Sequence, residues 1–187
     1  MINKKFLGLI LVALIVNTFT ETQAQNWSCW RGPNGDGTTI ETDVPVSWDS
    51  VKNVVWKSPI PGKGHSSPIV WENKLFLTTA TEETQEKMLL CYDNTTGELL
   101  WQKTVVKDTL QRKHPDNSYA SGTPATDGKL VYLSFLDVED IVVAAYDFSG
   151  NQVWIQRPGK FSSPHGYSCS PVLFQEREPL RTVLLLC

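Results

Sequence analysis

Apolar residues along this chain come in short runs, each ended within a few residues by turn formers. Pro68 to Trp71 is one such run; Asn73-Lys74 turns the chain, and Leu75-Phe76-Leu77-Thr78-Thr79 resumes it. Lys87 to Tyr92 follows, then a turn at Thr95-Thr96-Gly97, then Leu99 to Val105. The same order returns further on: Pro124 to Thr126, a tight Asp127-Gly128 turn, Lys129 to Phe135, Ile141 to Tyr146, a turn at Ser149-Gly150, and Gln152 to Gln156. Asp-Gly between apolar runs predicts a hairpin, because both central residues of that turn take positive φ. Outside the first residues no segment carries a helical period, so the pattern predicts an all-β chain with about four strands per repeat of ~50 residues, the layout of a β-propeller blade.

The repeat is visible residue by residue. Leu90-Cys91-Tyr92-Asp93-Asn94-Thr95-Thr96-Gly97-Glu98-Leu99-Leu100-Trp101 recurs as Ala144-Ala145-Tyr146-Asp147-Phe148-Ser149-Gly150-Asn151-Gln152-Val153-Trp154. Ser67-Pro68-Ile69-Val70, Thr123-Pro124-Ala125-Thr126 and Ser170-Pro171-Val172-Leu173 recur in step with it. Asp93 and Asp147 are placed to accept backbone N–H bonds in their turns. Gly97 and Gly150 supply a conformation that side chains resist. Trp101 and Trp154 are plates that can dock on a neighbouring blade, with an indole N–H that needs an acceptor. Trp56 is expected to fill the same slot for an earlier unit. Three tryptophans at repeat spacing point to packing rather than to ligand stacking.

Residues 1–24 read differently. Lys4 and Lys5 precede an apolar run from Phe6 to Val16, and a small polar stretch ends at Thr22-Gln23-Ala24. That layout predicts a secretory leader cleaved after Ala24, and the run is too short to span a bilayer. Export to the periplasm or cell envelope follows, with residues 25–187 as the mature chain and no transmembrane span in it. A lipid anchor on Cys29 is disfavoured, because Asn26-Trp27-Ser28 lacks the apolar and small residues such anchors follow. The whole chain has 17 Lys+Arg against 20 Asp+Glu, a net charge of −3. Without the leader the balance is more acidic still, and no run of like charges occurs, which argues against a nucleic-acid partner. Export permits disulfides, but Cys29, Cys91, Cys169 and Cys187 allow three full pairings and the sequence selects none. Cys91 stands where the second repeat has alanine, so it reads as a small buried thiol. No Cys-x-x-Cys supports a redox or zinc role.

Candidate chemistry gathers in the segments leading into the innermost strand of each unit, which cross from the rim of one blade to the central channel. All three histidines fall there. His65 is followed by Ser66 and Ser67. His114 is followed by Asn117, Tyr119 and Ser121, and His165 by Tyr167 and Ser168. These ten residues are the candidate ligand-binding set at the channel mouth. The alternative is that each histidine caps a strand start. The histidines recur at the repeat distance rather than at metal-ligand spacing, so no metal site is expected. Asn34-Gly35-Asp36-Gly37 reads as a turn, because no downstream residues complete a calcium loop. No Gly-x-Ser-x-Gly, phosphate loop or His-Glu-x-x-His is present, and no catalytic residue is assigned.

Cys91 to Trp101 resembles the Ala-x-Asp-x-x-Thr-Gly-x-x-x-Trp repeat of the pyrroloquinoline-quinone (PQQ) type β-propellers, with Cys for the leading Ala. Ala145 to Trp154 is similar with one turn residue missing. Trp27-Ser28-Cys29-Trp30-Arg31-Gly32-Pro33-Asn34-Gly35-Asp36-Gly37, Gly64-His65-Ser66-Ser67-Pro68 and His165-Gly166-Tyr167-Ser168 resemble segments of exported members of the same family. The resemblance implies four-stranded antiparallel blades in a propeller of seven or eight. This chain then holds two full blades and partial units, an N-terminal fragment of a longer protein. Members of the family divide in function. Some are scaffolds of the cell envelope that bind no quinone; others are quinoprotein alcohol or sugar dehydrogenases, with PQQ and calcium in the channel. Here no adjacent cysteine pair occurs, and Asp116 is the lone carboxylate of the three leading segments. The expectation is therefore a binding or scaffold module for an envelope protein or a small-molecule ligand. PQQ with calcium would belong only to the full-length protein.

Overall fold

The computed structural model describes residues 25–176 and 181–186, so the leader and Cys187 lie outside the described residues. Ten strands form three antiparallel sheets. The first blade is β1 (Ile69–Trp71), β2 (Lys74–Thr81), β3 (Glu86–Asp93) and β4 (Leu99–Lys107), in that spatial order. The second is β5 (Ala125–Thr126), β6 (Leu130–Asp137), β7 (Asp140–Asp147) and β8 (Gln152–Lys160). β9 (Pro171–Glu176) pairs with β10 (Arg181–Leu186). No helix occurs among the described residues. β1, β5 and β9 lie side by side as the inner strands, and the all-β, four-strands-per-repeat expectation holds.

The inner strands are shorter than the pattern predicts, because Pro68 and Pro124 have no N–H for a ladder and each strand starts one residue later. The outer strands run longer. β8 continues through Pro158 because a bulge opposite Val142 takes Arg157 and Pro158 out of the pairing. A second bulge repeats in both blades. Cys91 faces Trp101 and Tyr92 faces Leu99, with Leu100 skipped; Ala145 faces Trp154 and Tyr146 faces Gln152, with Val153 skipped. The extra residue sits just before each tryptophan; Trp101 reaches the turn of the second blade, while Trp154 packs against Tyr132 of its own blade, ring centroids 6.1 Å apart.

The Trp101 contact builds the blade interface. Trp101 lies against Gly150, where an added Cβ would come within 2.9 Å of the indole, and its Nε1–H donates to Phe148 O at 3.2 Å. Trp56 does the same one unit earlier: its ring covers Gly97, and its Nε1–H donates to Asn94 O at 3.0 Å. Gly97 and Gly150 have φ of 75° and 83°, so both their conformation and the close ring exclude a side chain. Asp93 and Asp147 hold these turns as expected, Asp93 accepting from the N–H groups of Thr95 and Thr96 and Asp147 from those of Ser149 and Asn151. The core lies between the blades: Ile69, Phe76, Leu89 and Cys91 from the first meet Val131, Leu133, Phe135, Val142 and Tyr146 from the second. Cys91 is fully buried, and burial pushes its thiol up to about 12.

One arrangement was not foreseen. The segment around Trp27 pairs with the channel-side edge of β1, with Trp27 N–H donating to Val70 O at 2.8 Å and Val70 N–H to Trp27 O at 2.9 Å. Thr126 N–H of β5 donates to Ser28 O at 2.8 Å. The N-terminal segment therefore crosses the inner edges of both blades and carries Trp30 to the mouth.

Candidate functional site

The three leading segments are tied by a hydroxyl relay. Ser67 N–H donates to Thr123 Oγ1 at 3.0 Å, and Thr123 N–H donates to Ser170 Oγ at 2.9 Å. One layer outward, Thr78 Oγ1 donates to Gly122 O and Ser134 Oγ to Cys169 O, each at 2.9 Å. The hydroxyls before Pro124 and Pro171 thus each accept an N–H of the preceding unit, which gives Ser or Thr a role at those two positions. Thr123 is buried, and Thr123→Val keeps its shape while leaving the Ser67 N–H without an acceptor. The expected cost is about 1–3 kcal/mol in urea unfolding; a change under about 0.5 kcal/mol would mean the relay carries no weight.

His65, Asn117, Ser121 and Ser168 meet in one cleft of ≈ 430 Å³, with Thr123, Ser170 and Trp30 completing its wall. His65 is exposed. Its backbone N–H is held by Ala120 O at 3.0 Å and Ser118 Oγ at 3.1 Å, and its imidazole makes no hydrogen bond among the described residues. Asn117 organises the loop: Nδ2–H donates to His165 O at 2.7 Å, and Oδ1 accepts from Ser118 N–H and Ser121 Oγ–H. Ser168 is exposed, its hydroxyl open to the cleft.

The other candidates are placed elsewhere. Ser66 accepts the Thr78 N–H and lines the opposite, apolar side of the first blade. Ser67 serves the relay through its N–H. Tyr119 lines an adjoining pocket. His114 and His165 face each other, ring centroids 5.9 Å apart, outside the cleft, and Asp116 lies 3.6 Å from His114 Nδ1. Tyr167 differs most from expectation: it is buried, and its hydroxyl donates to Ser134 Oγ at 3.0 Å. Burial holds that phenol well above its usual range, so Tyr167 packs the blade and offers no group to the mouth.

Trp30, Thr123 and Ser170 were missed. The relay hydroxyls had a signal in the Ser/Thr-Pro repeat; Trp30 had none, because spacing alone does not bring an N-terminal segment to the channel. Among the described residues no three His, Cys, Asp or Glu side chains cluster as metal ligands. Calcium beside PQQ calls for converging carboxylate and carbonyl oxygens. The Trp30 cleft offers hydroxyls, one amide and an imidazole, and the nearby Asp116 is exposed and turned to His114. The described residues do not fit that group.

Two stacked four-stranded blades with a docking Trp on each repeated Gly turn define a PQQ-type β-propeller repeat protein. A family model described as the outer membrane protein assembly factor BamB matches residues 39–155, and the chain belongs to this PQQ-repeat family. The match runs from before Trp56 to just past Trp154, covering the first blade and the second as far as the start of β8. No curated protein shows a significant match to the chain.

Proposed function

We propose that this chain is an exported binding module that takes a protein segment or small ligand at the channel mouth and serves as an envelope scaffold. The cleft of ≈ 430 Å³ carries this reading. It sets an exposed aromatic, Trp30, against an unpartnered imidazole and an open hydroxyl, on loops fixed to rigid blades. The family's assembly-factor description and the leader-like residues 1–24 support the envelope setting. No helix among the described residues is long and apolar enough to cross a membrane.

A photo-crosslinking residue at Ser168, compared with one at Lys129 on the opposite end of the blades, tests the reading in intact cells. Crosslinking to one discrete species from Ser168 but not from Lys129, abolished by Trp30→Ala, is the expected result. Equal crosslinking from both positions, or none from Ser168, overturns it. Fusing residues 1–24 to an enzyme active only outside the cytoplasm tests export, and an inactive fusion removes the envelope setting. Because the His65 imidazole holds no structural bond, His65→Ala is expected to leave the melting temperature within about 2 °C of the parent. A larger fall would mark His65 as structural.

A further inference from the structure

The mouth is a pair of depressions sharing one wall. Outside the Trp30 cleft, between the tops of the two blades, lies a pocket of ≈ 270 Å³ lined by Lys63, Lys113, Tyr119, Glu82 and Asp116. His65 and Asn117 line both. Lys63 is anchored by two backbone bonds to Ala80, at 2.8 and 3.0 Å. Lys113 lies with Nζ 5.0 Å over the Tyr119 ring. Among the described residues neither ammonium has a carboxylate within ion-pair distance, although the chain is acidic overall and other lysines, such as Lys107 and Lys160, are paired. Asp116 faces His114 instead, at 3.6 Å. Two ammonium groups and an imidazole thus line one pocket with Glu82 and Asp116, yet neither lysine is ion-paired to either carboxylate, at a site whose backbone is fixed.

We propose that the outer pocket binds a carboxylate between Lys63 and Lys113, with His65 as a third donor, while the rest of the ligand crosses the His65–Asn117 wall and lies on Trp30. The proposal rests on the mouth being a binding site and names the chemistry of its ligand. Glu82 and Asp116 on the same pocket select a singly charged group over a phosphate dianion, which they would repel. The carboxylate can belong to an acidic peptide side chain or to a small organic acid.

Calorimetric titration of the full chain separates these cases with four probes: an end-blocked peptide with one Glu beside a Phe, its Gln counterpart, glutarate, and inorganic phosphate. The Glu peptide is expected to bind about five- to tenfold tighter than the Gln peptide, and Lys63→Gln or Lys113→Gln to remove most of that difference. Lys63→Arg should retain it, and Trp30→Ala should weaken both peptides alike. Glutarate binding without peptide preference assigns the site to a small acid. Equal binding of the Glu and Gln peptides, phosphate binding at least as tight, no effect of either lysine, or no binding of any probe each overturns the proposal. Peptide binding that is lost with Trp30→Ala but indifferent to Glu or Gln leaves the mouth a binding site and removes only the carboxylate.

Discussion

Trp101→Ala is expected to destabilise the chain by about 3 kcal/mol, among the largest effects of any single substitution outside the fully buried core. The indole makes three contacts. Across to the second blade it covers Gly150 and its N–H satisfies Phe148 O; within its own blade its ring lies 5.9 Å from that of fully buried Phe76. Truncation to Ala loses all three and leaves a cavity that Gly150 cannot fill. Trp101→Phe keeps a ring over the glycine and loses the hydrogen bond, so its cost should be nearer 1 kcal/mol. For a chain of this size the Ala variant translates to a fall in melting temperature of about 6–12 °C. Gly150→Ala attacks the same lock from the other side: its φ of 83° is unfavourable to Ala, and the new methyl meets the ring at 2.9 Å. If Trp101→Ala stayed within about 0.5 kcal/mol of the parent in urea unfolding, the tryptophan would be a surface residue and blade docking would rest on the aliphatic core alone.

The parts of the Trp–Gly lock were legible in sequence because the motif that supplies them is local and repeats, although the contact itself joins one repeat's Trp to the next repeat's Gly. Asp starts the turn, Gly takes the positive φ, and Trp follows after a constant interval, so two copies suffice to expose it. The bulge at Leu100 and Val153 was hidden, because a skipped pairing leaves the apolar pattern intact. The mouth was half legible. His65, Asn117, Ser121 and Ser168 converge because repeat phase sets the end of the blade at which a residue lies. Phase does not set which way a side chain points, so Ser66 turns to the opposite face and Tyr167 into the blade. Trp30 and the N-terminal pairing with β1 join residues more than 40 positions apart, such as Trp27 and Val70. Nothing periodic announces a contact of that kind. Lys87 was invisible for another reason: it opens a strand, where lysine is ordinarily solvated, and only the stacking of the second blade buries it.

Stability is expected to rise by about 1 kcal/mol between pH 8 and 9, against the usual alkaline decline, and Lys87 is the cause. The residue is fully buried between the blades, with Nζ donating to Leu136 O and to Gln111 Oε1. Burial lowers its pKa from 10.5 to about 8, against the opposing pull of Asp137 and Asp108. Asp137 gives one oxygen to Arg157 and leaves the other buried without a hydrogen bond. Between pH 8 and 10.5 the unfolded chain therefore carries a proton that the folded one has released, and folding becomes more favourable as pH rises. Groups raised by burial act in the opposite sense, Cys29 and Cys91 from about pH 9 and the tyrosines Tyr92, Tyr119, Tyr132, Tyr146 and Tyr167 from about pH 10. Cys91, raised by burial from 9.0 to about 12, stays protonated in the fold while the unfolded thiol ionises above 9. Tyr132, raised from 10.0 to about 12 by burial and by Asp127, adds to this above pH 10. The slopes of Lys87 and Cys91 nearly cancel from pH 9 to 10, and Cys29 with the raised tyrosines tips the balance, so a rise to about pH 9 and then a fall are expected. Lys87→Met removes the rise, and Cys91→Ala extends it past pH 9. Lys87→Ala also opens a cavity and strips Leu136 O of its donor, costing about 3–5 kcal/mol at pH 8. Urea midpoints of the three variants and the parent at pH 7, 8, 9 and 10 decide the matter. A parent curve that falls steadily from pH 8, or a Lys87→Met curve parallel to it, would place the Lys87 ammonium in contact with water rather than between the blades.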